Sequence, residues 1–514
     1  MLPILLLVSS ALAGSYTDTF DVDAGAWTAG SVADGVLSVT DTLASYALPA
    51  DAVAPVTVRA MVRLADGERL RLGPLELDYT DGGGVRLGAA ALPFPDGHYA
   101  WVPDDEPMLP PGPDFWDGAN VVHCEVFYDD DTATWFLYWS GEVAEGYGYR
   151  QIGVATSTDG VTWTEYAANP VITIDYDRTT IDGIHVHMPT VVKDTTDTFH
   201  MYYACYQNDV GNRLCHATSA DGLAWETHGM ALDIGAAGEF DSGSLRMPDV
   251  LIGDDGTWHM LYNGTDPEQH YGPTGYATSP DGWTWTKHGA ITDDESRLQG
   301  GGMFAGPYGI EQWWNCNDVF CHSTAEPWAL DTWADDEAGV VLAKGWESWT
   351  DGYVQAPSPW LVGTTWHMWF NAYSYNDWEG TGVHERLGHA QSVPVPGAWI
   401  DVAWTWDGGT VTATVAGAEI VSEQAAVSAI ELFASGTVEL DEIEVTWGDA
   451  PADTGEIDTG GDDTGAADTG AEPINPLPEE EAGCGCGSSL RPPWLALALA
   501  GGACAASRRR RTVR

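Results

Sequence analysis

Basic residues are scarce in this sequence of 514 residues. Lys and Arg together number 20 against 77 Asp and Glu, which gives a formal net charge of −57. Only three lysines occur: Lys193, Lys287 and Lys344. So acidic a surface repels phosphate backbones and argues against nucleic acid as a partner. It suits a protein that stays soluble in salty surroundings, and it leaves weak calcium binding open as the one cofactor to consider.

Sustained apolar runs are confined to the two ends of the chain. Residues 1–13 read MLPILLLVSSALA, an apolar run followed by the small-x-small site Ala11-Leu12-Ala13. The run is too short to cross a membrane, and no Lys or Arg precedes it. The pattern predicts a secretory signal that is removed after Ala13, and therefore a protein exported from a bacterial-type cell.

Three parts follow one another in residues 483–514. They are a Gly-Cys-Gly-Cys-Gly motif with Cys484 and Cys486, an apolar stretch over 494–506, and four arginines at 508–511. This order resembles the myxobacterial C-terminal sorting signal. The resemblance implies cleavage and attachment to the outer membrane or cell envelope through one of the two cysteines. The arginines would stay on the cytoplasmic side; a simple tail anchor is the alternative.

Residues 449–482 are poor in apolar side chains and rich in Asp, Gly, Thr, Pro and Glu. Asp-Thr-Gly recurs there every five residues, at Asp453, Asp458, Asp463 and Asp468. The tripeptide matches the aspartic-protease signature, but a protease needs two such loops held in packed lobes. With so little to bury, the segment is predicted to be a disordered linker.

Cysteine is also infrequent, with eight residues of which three lie in the tail. Cys205 and Cys215 flank a predicted turn, and so do Cys316 and Cys321. Each pair is predicted to form a cross-strand disulfide, which an oxidising compartment would preserve. Cys124 is left over and is expected to be buried.

A motif recurs three times in the middle of the chain. Ser-x-Asp-Gly-x-x-Trp begins at Ser157, Ser219 and Ser279, a repeat length of about 60 residues that suits one four-stranded blade. Upstream of each copy, an aromatic residue stands twelve positions after a polar one. The three polar residues are His123, His187 and Arg246.

Two weaker copies, from Gly306 and Val354, complete five units between about 100 and 394. Each unit has short runs rich in Val, Tyr, Trp and Thr, broken by Asp-Gly or Asn-Asp turns, as in antiparallel strands. Four strands in each of five units predict a five-bladed β-propeller over 98–396. In the repeated motif, Asp and Gly are expected to form the turn and Trp to pack between blades. The tryptophans with this structural role are Trp163, Trp225 and Trp285.

The pattern resembles the five-bladed glycoside hydrolases of families 43, 32 and 130. The matching features are the Pro-x-Val strand starts, the run from Trp258 to Tyr262, and the Ala-Thr-Ser-x-Asp-Gly turns. In those families an Asp commonly precedes the Pro of the inner strand. Here Met188 and Met247 stand there, with Cys124 and Ala356 at the comparable places in units one and five. The resemblance implies the fold and a carbohydrate-active protein, while activity itself stays open.

Residues 14–97 and 397–448 differ from the repeats and resemble two pieces of one concanavalin-like or laminin-G-like jelly roll. Neither piece alone would leave its sheet edges paired. The predicted fold is therefore all-β, with the propeller inserted into one sandwich, because insertion at a loop is tolerated when the ends lie close together. Two unrelated β modules are the alternative.

Hydrolysis of a glycosidic bond needs an acid and a second carboxylate. One candidate is Glu125 on the first inner strand, and the others lie in loops before inner strands: Asp117, Asp182, Asp241 and Asp351. Turn formation is the alternative role for the loop residues.

Strand alternation is expected to turn a set of polar side chains toward the central funnel. These candidate substrate-binding residues are His123, His187, Arg246 and Gln355, with Arg246 suited to an acidic group. His185 and His187 share a face, but two histidines do not make a metal site, and none is predicted. Three functions remain: a polysaccharide hydrolase, a glycan-binding protein that lost its acids, and an adhesive surface protein.

Overall fold

The computed structural model describes the residues 14–18, 30–33, 36–40, 43–47, 54–80, 83–87, 90–94, 99–109, 112, 116–143, 149–177, 179–207, 211–267, 272–292, 301–306, 309–316, 319–326, 328–330, 333–342, 348–350, 352–373, 385–395, 397, 399–416, 418–423, 429–435 and 437–447. The predicted signal, the linker and the sorting segment with Cys484 and Cys486 lie outside these residues. So does Asp351.

The described residues form strands almost throughout. The first group is β1 Gly14–Asp18, β2 Gly30–Ala33, β3 Val36–Thr40, β4 Leu43–Ala47, β5 Val56–Arg63, β6 Arg69–Leu72, β7 Leu75–Asp78, β8 Val85–Leu87 and β9 Ala90–Leu92. The middle group is β10 Tyr99–Pro103, β11 Asn120–Asp129, β12 Thr134–Glu142, β13 Arg150–Ser157, β14 Thr164–Glu165, β15 His185–Lys193, β16 Phe199–Gln207, β17 Gly211–Ser219, β18 Trp225–Leu232, β19 Ser244–Ile252, β20 Trp258–Thr265, β21 Thr274–Ser279, β22 Thr286–Ala290, β23 Gly302–Gly306, β24 Gly309–Asn315, β25 Phe320–Ala325, β26 Ala334–Leu342, β27 Tyr353–Val362, β28 Thr365–Tyr373 and β29 Glu385–Pro394. The last group is β30 Trp399–Trp406, β31 Thr410–Val415, β32 Ala418–Glu423, β33 Ala429–Ser435 and β34 Thr437–Trp447. A 3₁₀ turn at Ser348–Thr350 is the helical element of this part of the chain, in which no helix has the length and hydropathy of a membrane span.

The middle group builds five antiparallel blades. Blades 1 to 4 each take four consecutive strands, β11–β14, β15–β18, β19–β22 and β23–β26. Blade 5 is β27, β28 and β29, closed on its outer edge by β10, whose Tyr99 pairs with Pro394. Because β10 precedes blade 1 in sequence, its pairing with the last blade closes the ring. The predicted five-bladed propeller is confirmed.

The two flanks share both sheets of one sandwich. One sheet has the order β2-β3-β34-β5-β30-β31-β32, with β1 also on β34, and the other has the order β4-β33-β6-β7-β8-β9. The apolar faces meet in a common core, to which the first flank gives Val58 and Leu72 and the second gives Trp404 and Leu440. The predicted all-β fold with the propeller inserted into a sandwich is therefore confirmed. Its likeness to concanavalin or laminin-G domains stays a prediction.

Each Ser-x-Asp-Gly-x-x-Trp copy folds as a turn held by its own side chains. In the first copy the Ser157 hydroxyl accepts from the Gly160 backbone N–H at 2.9 Å, and Asp159 accepts from Thr162 at 2.7 Å. Gly160 has a φ of 73°, a left-handed conformation that glycine adopts without strain. The same contacts recur around Ser219 and Ser279.

The Trp of each copy packs against the preceding blade. Trp225 of blade 2 lies 5.9 Å from the ring of Tyr138 in blade 1, and the Tyr138 hydroxyl donates to the Gly222 carbonyl at 2.8 Å. The corresponding ring pairs are Trp285 with Tyr202 and Trp163 with Trp369. The motif therefore joins neighbouring blades. Its repetition is explained by the packing of these tryptophans between blades, as predicted.

Two disulfides join neighbouring strands, as predicted. Cys205–Cys215 and Cys316–Cys321 have Cα separations of 5.9 and 5.8 Å, and Cys124 is a buried free thiol. Replacing Cys205 and Cys215 together with Ala should lower the free energy of unfolding by about 2–3 kcal/mol, because the loop that the bond closes is short. Denaturant unfolding with and without reductant measures this effect. An equal response of wild type and variant to reductant would contradict it.

Candidate functional site

Four inner strands carry the same irregularity where they reach the propeller axis. The register slips by one residue in β11, β15, β19 and β27. At each slip one residue has a positive φ of about 50–60°: His123, Met188, Met247 and Ala356. In three of the four strands Pro follows, which a bulge accepts because no N–H is needed for the ladder there.

This alignment corrects one reading of the sequence. His123, and not Cys124, stands at the place of Met188, Met247 and Ala356. The hairpin of β11 and β12 is one residue longer than that of β15 and β16. Counting twelve residues back from the aromatic residue therefore aligned Cys124, and not His123, with Met188. His123 therefore occupies the position directly before the Pro site, where the resembling families commonly have Asp.

A funnel of about 580 Å³ opens at the start of the inner strands. It is lined by His123, Arg150, Met188, Arg246, Met247, Asn263, Tyr353, Gln355 and Glu385. Three sequence-predicted residues meet here, namely His123, Arg246 and Gln355. The four that sequence reasoning missed are Arg150, Asn263, Tyr353 and Glu385.

Glu385 is the carboxyl group of this described lining. Its Oε1 accepts a hydrogen bond from the Tyr353 hydroxyl at 2.7 Å, and its Oε2 accepts from the Asn371 amide at 3.4 Å. Burial and the nearby charge of Glu142 raise the pKa of Glu385, although the hydrogen bond from Tyr353 and the charge of Arg150 oppose the rise. A carboxyl with a raised pKa can hold a proton at mildly acidic pH, which is the requirement for a general acid.

Three histidines cluster beside the funnel. The rings of His123 and His187 lie 6.1 Å apart, and those of His185 and His187 lie 5.6 Å apart. Burial and the charge of Arg150 lower all three pKa values, that of His185 to about 4. The imidazoles are therefore neutral at pH 7. His187 Nε2 is 3.2 Å from Asn212 Oδ1, whereas the three Nδ1 atoms have no hydrogen-bond partner among the described residues.

A second cavity, of about 380 Å³, lies on the axis beyond the bulges. His123, Met188 and Met247 line both cavities and form the constriction between them. Glu125 and Asp249 lie in this second cavity. The bulge thus separates Glu125 from the funnel, although simple alternation had placed it on the same face as His123.

The side chains of Glu125 and Asp249 are held by short polar contacts. Glu125 accepts from the hydroxyls of Thr190 and Ser358, both at 3.3 Å. Asp249 accepts from the Met303 backbone N–H at 2.6 Å. Burial and the charge of Asp249 raise the pKa of Glu125 well above its usual value, and burial raises that of Asp249 to about 7.

Glu125→Gln should stabilise the fold above neutral pH. Carboxyls with raised pKa values bind protons more tightly in the folded than in the unfolded chain, so between about pH 4 and 7 their contribution to stability falls as pH rises. At pH 8 the variant should unfold with a free energy about 1–3 kcal/mol higher than wild type, and the gain should shrink toward pH 4. Denaturant unfolding across this range tests it, with Glu226→Gln on exposed β18 as the control. A gain that does not depend on pH would contradict the assignment.

The loop aspartates face neither cavity in the described part of the chain. Asp241 is 1% exposed, with its Oδ2 2.6 Å from Lys287 Nζ and 3.0 Å from the Tyr262 hydroxyl. Asp117 is 2% exposed and packs behind β12, where a Cβ on Gly141 would come within 2.6 Å of it. Asp182 is half-buried near Tyr203, whose pKa its charge helps to raise.

Asp117 and Asp241 each follow an aromatic residue that stacks on a ring in the second strand of the same blade, and blade 5 has the same pair of rings. Trp116 stacks on Trp139 at 5.8 Å, Phe240 stacks on Tyr262 at 6.1 Å, and Trp349 stacks on Phe370 at 6.4 Å. In blade 5 the residue after Trp349 is Thr350, which is fully buried and takes the place that Asp117 has in blade 1. The placement gives Asp117 and Asp241 structural contacts, and the catalytic roles predicted for them have no support from the two cavities.

No group of three or more His, Cys, Asp or Glu side chains with a metal-binding arrangement occurs among the described residues. His185 and His187 are part of the histidine cluster and have no carboxylate or cysteine completing such a set there. Calcium stays untested.

Geometry accounts for the residues that the sequence did not reveal. The first and third strands of an antiparallel blade run in the same direction, so both begin at the funnel. Arg150 is the first residue of β13 and Glu385 is the first residue of β29. The sequence offered one signal for these two residues: a charged residue at the start of the third strand of a blade, in a chain where basic residues are few.

No protein-family model and no curated protein matches the chain. Solved structures do resemble it. A glycosyl hydrolase from Bacteroides ovatus is 15% identical, covering 60% of this chain and 99% of that one, with a TM-score of 0.44. A family 117 glycoside hydrolase from the marine bacterium Zobellia galactanivorans is 14% identical, covering 58% and 91%, with a TM-score of 0.44. An N-acetylgalactosamine deacetylase from F. plautii is 14% identical, covering 56% and 95%, with a TM-score of 0.46. Similarity of this degree does not extend to the chemistry of the site.

Proposed function

We propose that the protein is a carbohydrate-binding protein whose funnel takes a sugar residue of a polysaccharide. The observation that carries this is the funnel lining, in which Asn263, Gln355, Tyr353 and two arginines converge on one cavity. Amides, a phenol and guanidinium groups supply the donors and acceptors that sugar hydroxyls require. The size and concave form of the cavity suit a small ligand.

Binding without hydrolysis is favoured by the carboxyl groups. Hydrolysis by the common route requires two carboxyl groups flanking the bond. In the described lining the funnel offers Glu385, while Glu125 and Asp249 lie beyond the constriction. The four bulge positions carry His, Met, Met and Ala instead of an aspartate.

Hydrolysis is a second candidate, and the raised pKa of Glu385 favours it. Glu385 would donate a proton to the leaving oxygen, and a second carboxylate would have to come from Glu142 or from outside the described residues. Glu142 pairs with Arg150 at 2.9 Å, so its carboxylate is already engaged by a guanidinium group. Observed turnover of a glycan would therefore assign hydrolysis, and its absence would assign binding alone.

A glycan panel with a hydrolysis assay tests both functions. Wild type should bind at least one polysaccharide, and Gln355→Leu should weaken that binding while Trp283→Ala, an exposed residue outside the funnel, should not. If turnover occurs, Glu385→Gln should abolish it and leave binding measurable. A panel with neither binding nor turnover would overturn the proposal and leave an adhesive or structural role.

The same proposal places the protein outside the cell, held to the envelope by its C-terminus. Its support is the leader over 1–13 and the Gly-Cys, apolar and Arg-rich segments over 483–514. Replacing Cys484 and Cys486 with Ser should release the protein or leave it unprocessed. Cell fractionation and mass spectrometry of the mature ends measure this, and normal attachment of the double variant would contradict it.

A further inference from the structure

Positive charge is concentrated in the funnel of a chain that is otherwise strongly acidic. Arg150 and Arg246 both line the cavity, although Lys and Arg together make up only 20 of 514 residues. They come from different blades, from the start of β13 and from the bulge of β19. The lining of this funnel of about 580 Å³ thus contains two of the few guanidinium groups of the chain.

The field of these two cations reaches the centre of the funnel. Burial is the main cause of the lowered pKa values of the three histidines, and the charge of Arg150 lowers all three further, with Arg246 also acting on His123. The histidines therefore stay neutral and can donate or accept hydrogen bonds without adding charge. His123 Nδ1 is buried and has no hydrogen-bond partner among the described residues.

Negative charge in the lining is reduced. Glu142 is engaged by Arg150 through two contacts, at 2.9 and 3.1 Å. Glu385, the lining carboxyl, has a raised pKa and accepts hydrogen bonds from Tyr353 and Asn371. Arg246 lies across the lining from this group, on blade 3, while Glu385 is on blade 5.

We propose that the funnel recognises an anionic sugar, with its carboxylate or sulfate seated against Arg246 and its hydroxyls on Gln355 and Asn263. The inference rests on the proposed function and adds the substrate class to it. Arg246 supplies a planar fork that matches a carboxylate or sulfate in two directions. The acidic exterior repels polyanions at long range, so recognition depends on Arg246 at the funnel, with Arg150 already paired with Glu142, and is not a general attraction.

Calorimetry with matched oligosaccharides tests the inference. The probes are a uronic-acid oligomer, the same oligomer with its carboxyls reduced to alcohols, and a sulfated oligomer of similar length. Wild type should bind an anionic oligomer at least about tenfold more tightly than the reduced form, as expected for a charged hydrogen bond. Arg246→Gln should lose that preference, Arg246→Lys should keep part of it, and Arg59→Gln on the sandwich should not change it.

Glu385→Gln gives an independent readout. Glu385 repels an anionic ligand only when it is ionised, which its raised pKa confines to higher pH. The variant should therefore bind the anionic oligomer more tightly relative to the reduced oligomer than wild type does, and this difference should be larger at about pH 8 than at about pH 5. Circular dichroism confirms that each variant is folded. Preference for either the carboxylated or the sulfated probe supports the inference and identifies the anion. Equal binding of charged and reduced oligomers would overturn the inference and leave the proposed function standing. If the protein bound neither these probes nor any glycan of the wider panel, both would be overturned.

Discussion

Replacing Lys287 with Met is expected to lower the free energy of unfolding by about 3–5 kcal/mol, because it leaves the charge of Asp241 buried without a cation. The Asp241 side chain is 2% exposed, and its Oδ2 lies 2.6 Å from Lys287 Nζ. Lys287 belongs to β22, the last strand of blade 3, while Asp241 precedes β19, the first. The ion pair therefore ties the two edges of the blade.

A double variant separates this effect from simple loss of packing. Lys287→Met with Asp241→Asn removes both charges and should recover most of the lost stability, since the penalty comes from the unpaired charge. Denaturant unfolding of the four proteins in the cycle measures the coupling. If Lys287→Met alone changed stability by less than about 0.5 kcal/mol, Asp241 would not be a structural charge and its predicted catalytic role would regain support.

Trp404→Ala should destabilise the sandwich by about 3–5 kcal/mol, because it removes a large side chain from a closed core. Trp404 comes from the second flank and is 1% exposed. Its ring lies against the first flank so closely that a Cβ on Gly73 would come within 2.6 Å. The loss should therefore loosen both flanks together.

Limited proteolysis with mass spectrometry shows where the loss occurs. Cleavage should appear in both 54–94 and 399–447 in the Trp404 variant. Trp283→Ala is the matched control, since that tryptophan is 49% exposed and packs on histidines of the propeller, so its loss should cause no cleavage in either flank. Cleavage confined to the second flank would mean that the flanks fold separately.

The propeller was predictable because its repeat has a direct physical role. Ser157, Asp159 and Gly160 close their own turn, and Trp163 reaches the neighbouring blade. The motif therefore marks the turn between the third and fourth strands in blades 1 to 3. The sandwich followed from unpaired edges, because strands such as β34 need partners that only the other flank supplies. Local patterns of this kind can be recognised in the sequence without knowledge of the fold.

The site was less predictable because its geometry is set by an irregularity. Alternation predicts which face a side chain takes until a bulge inserts one residue, and after the bulge the prediction reverses. Glu125 lies beyond the slip and so joins Asp249, although the sequence placed it beside His123. Glu385 starts a third strand, and its approach to Tyr353 depends on tertiary folding across the blade.

The insertion point also determines how the molecule carries mechanical load. The propeller is joined to the sandwich by two chain segments, which continue into β10 and β29, and these strands pair side by side from Tyr99 and Pro394. If the funnel holds a polysaccharide while the C-terminus is held by the envelope, tension pulls both strands from the same end. Neither strand is peeled from the other, and each carries part of the force. Under that load, the strand that completes the ring would be one of the two strands that carry the force between sandwich and propeller.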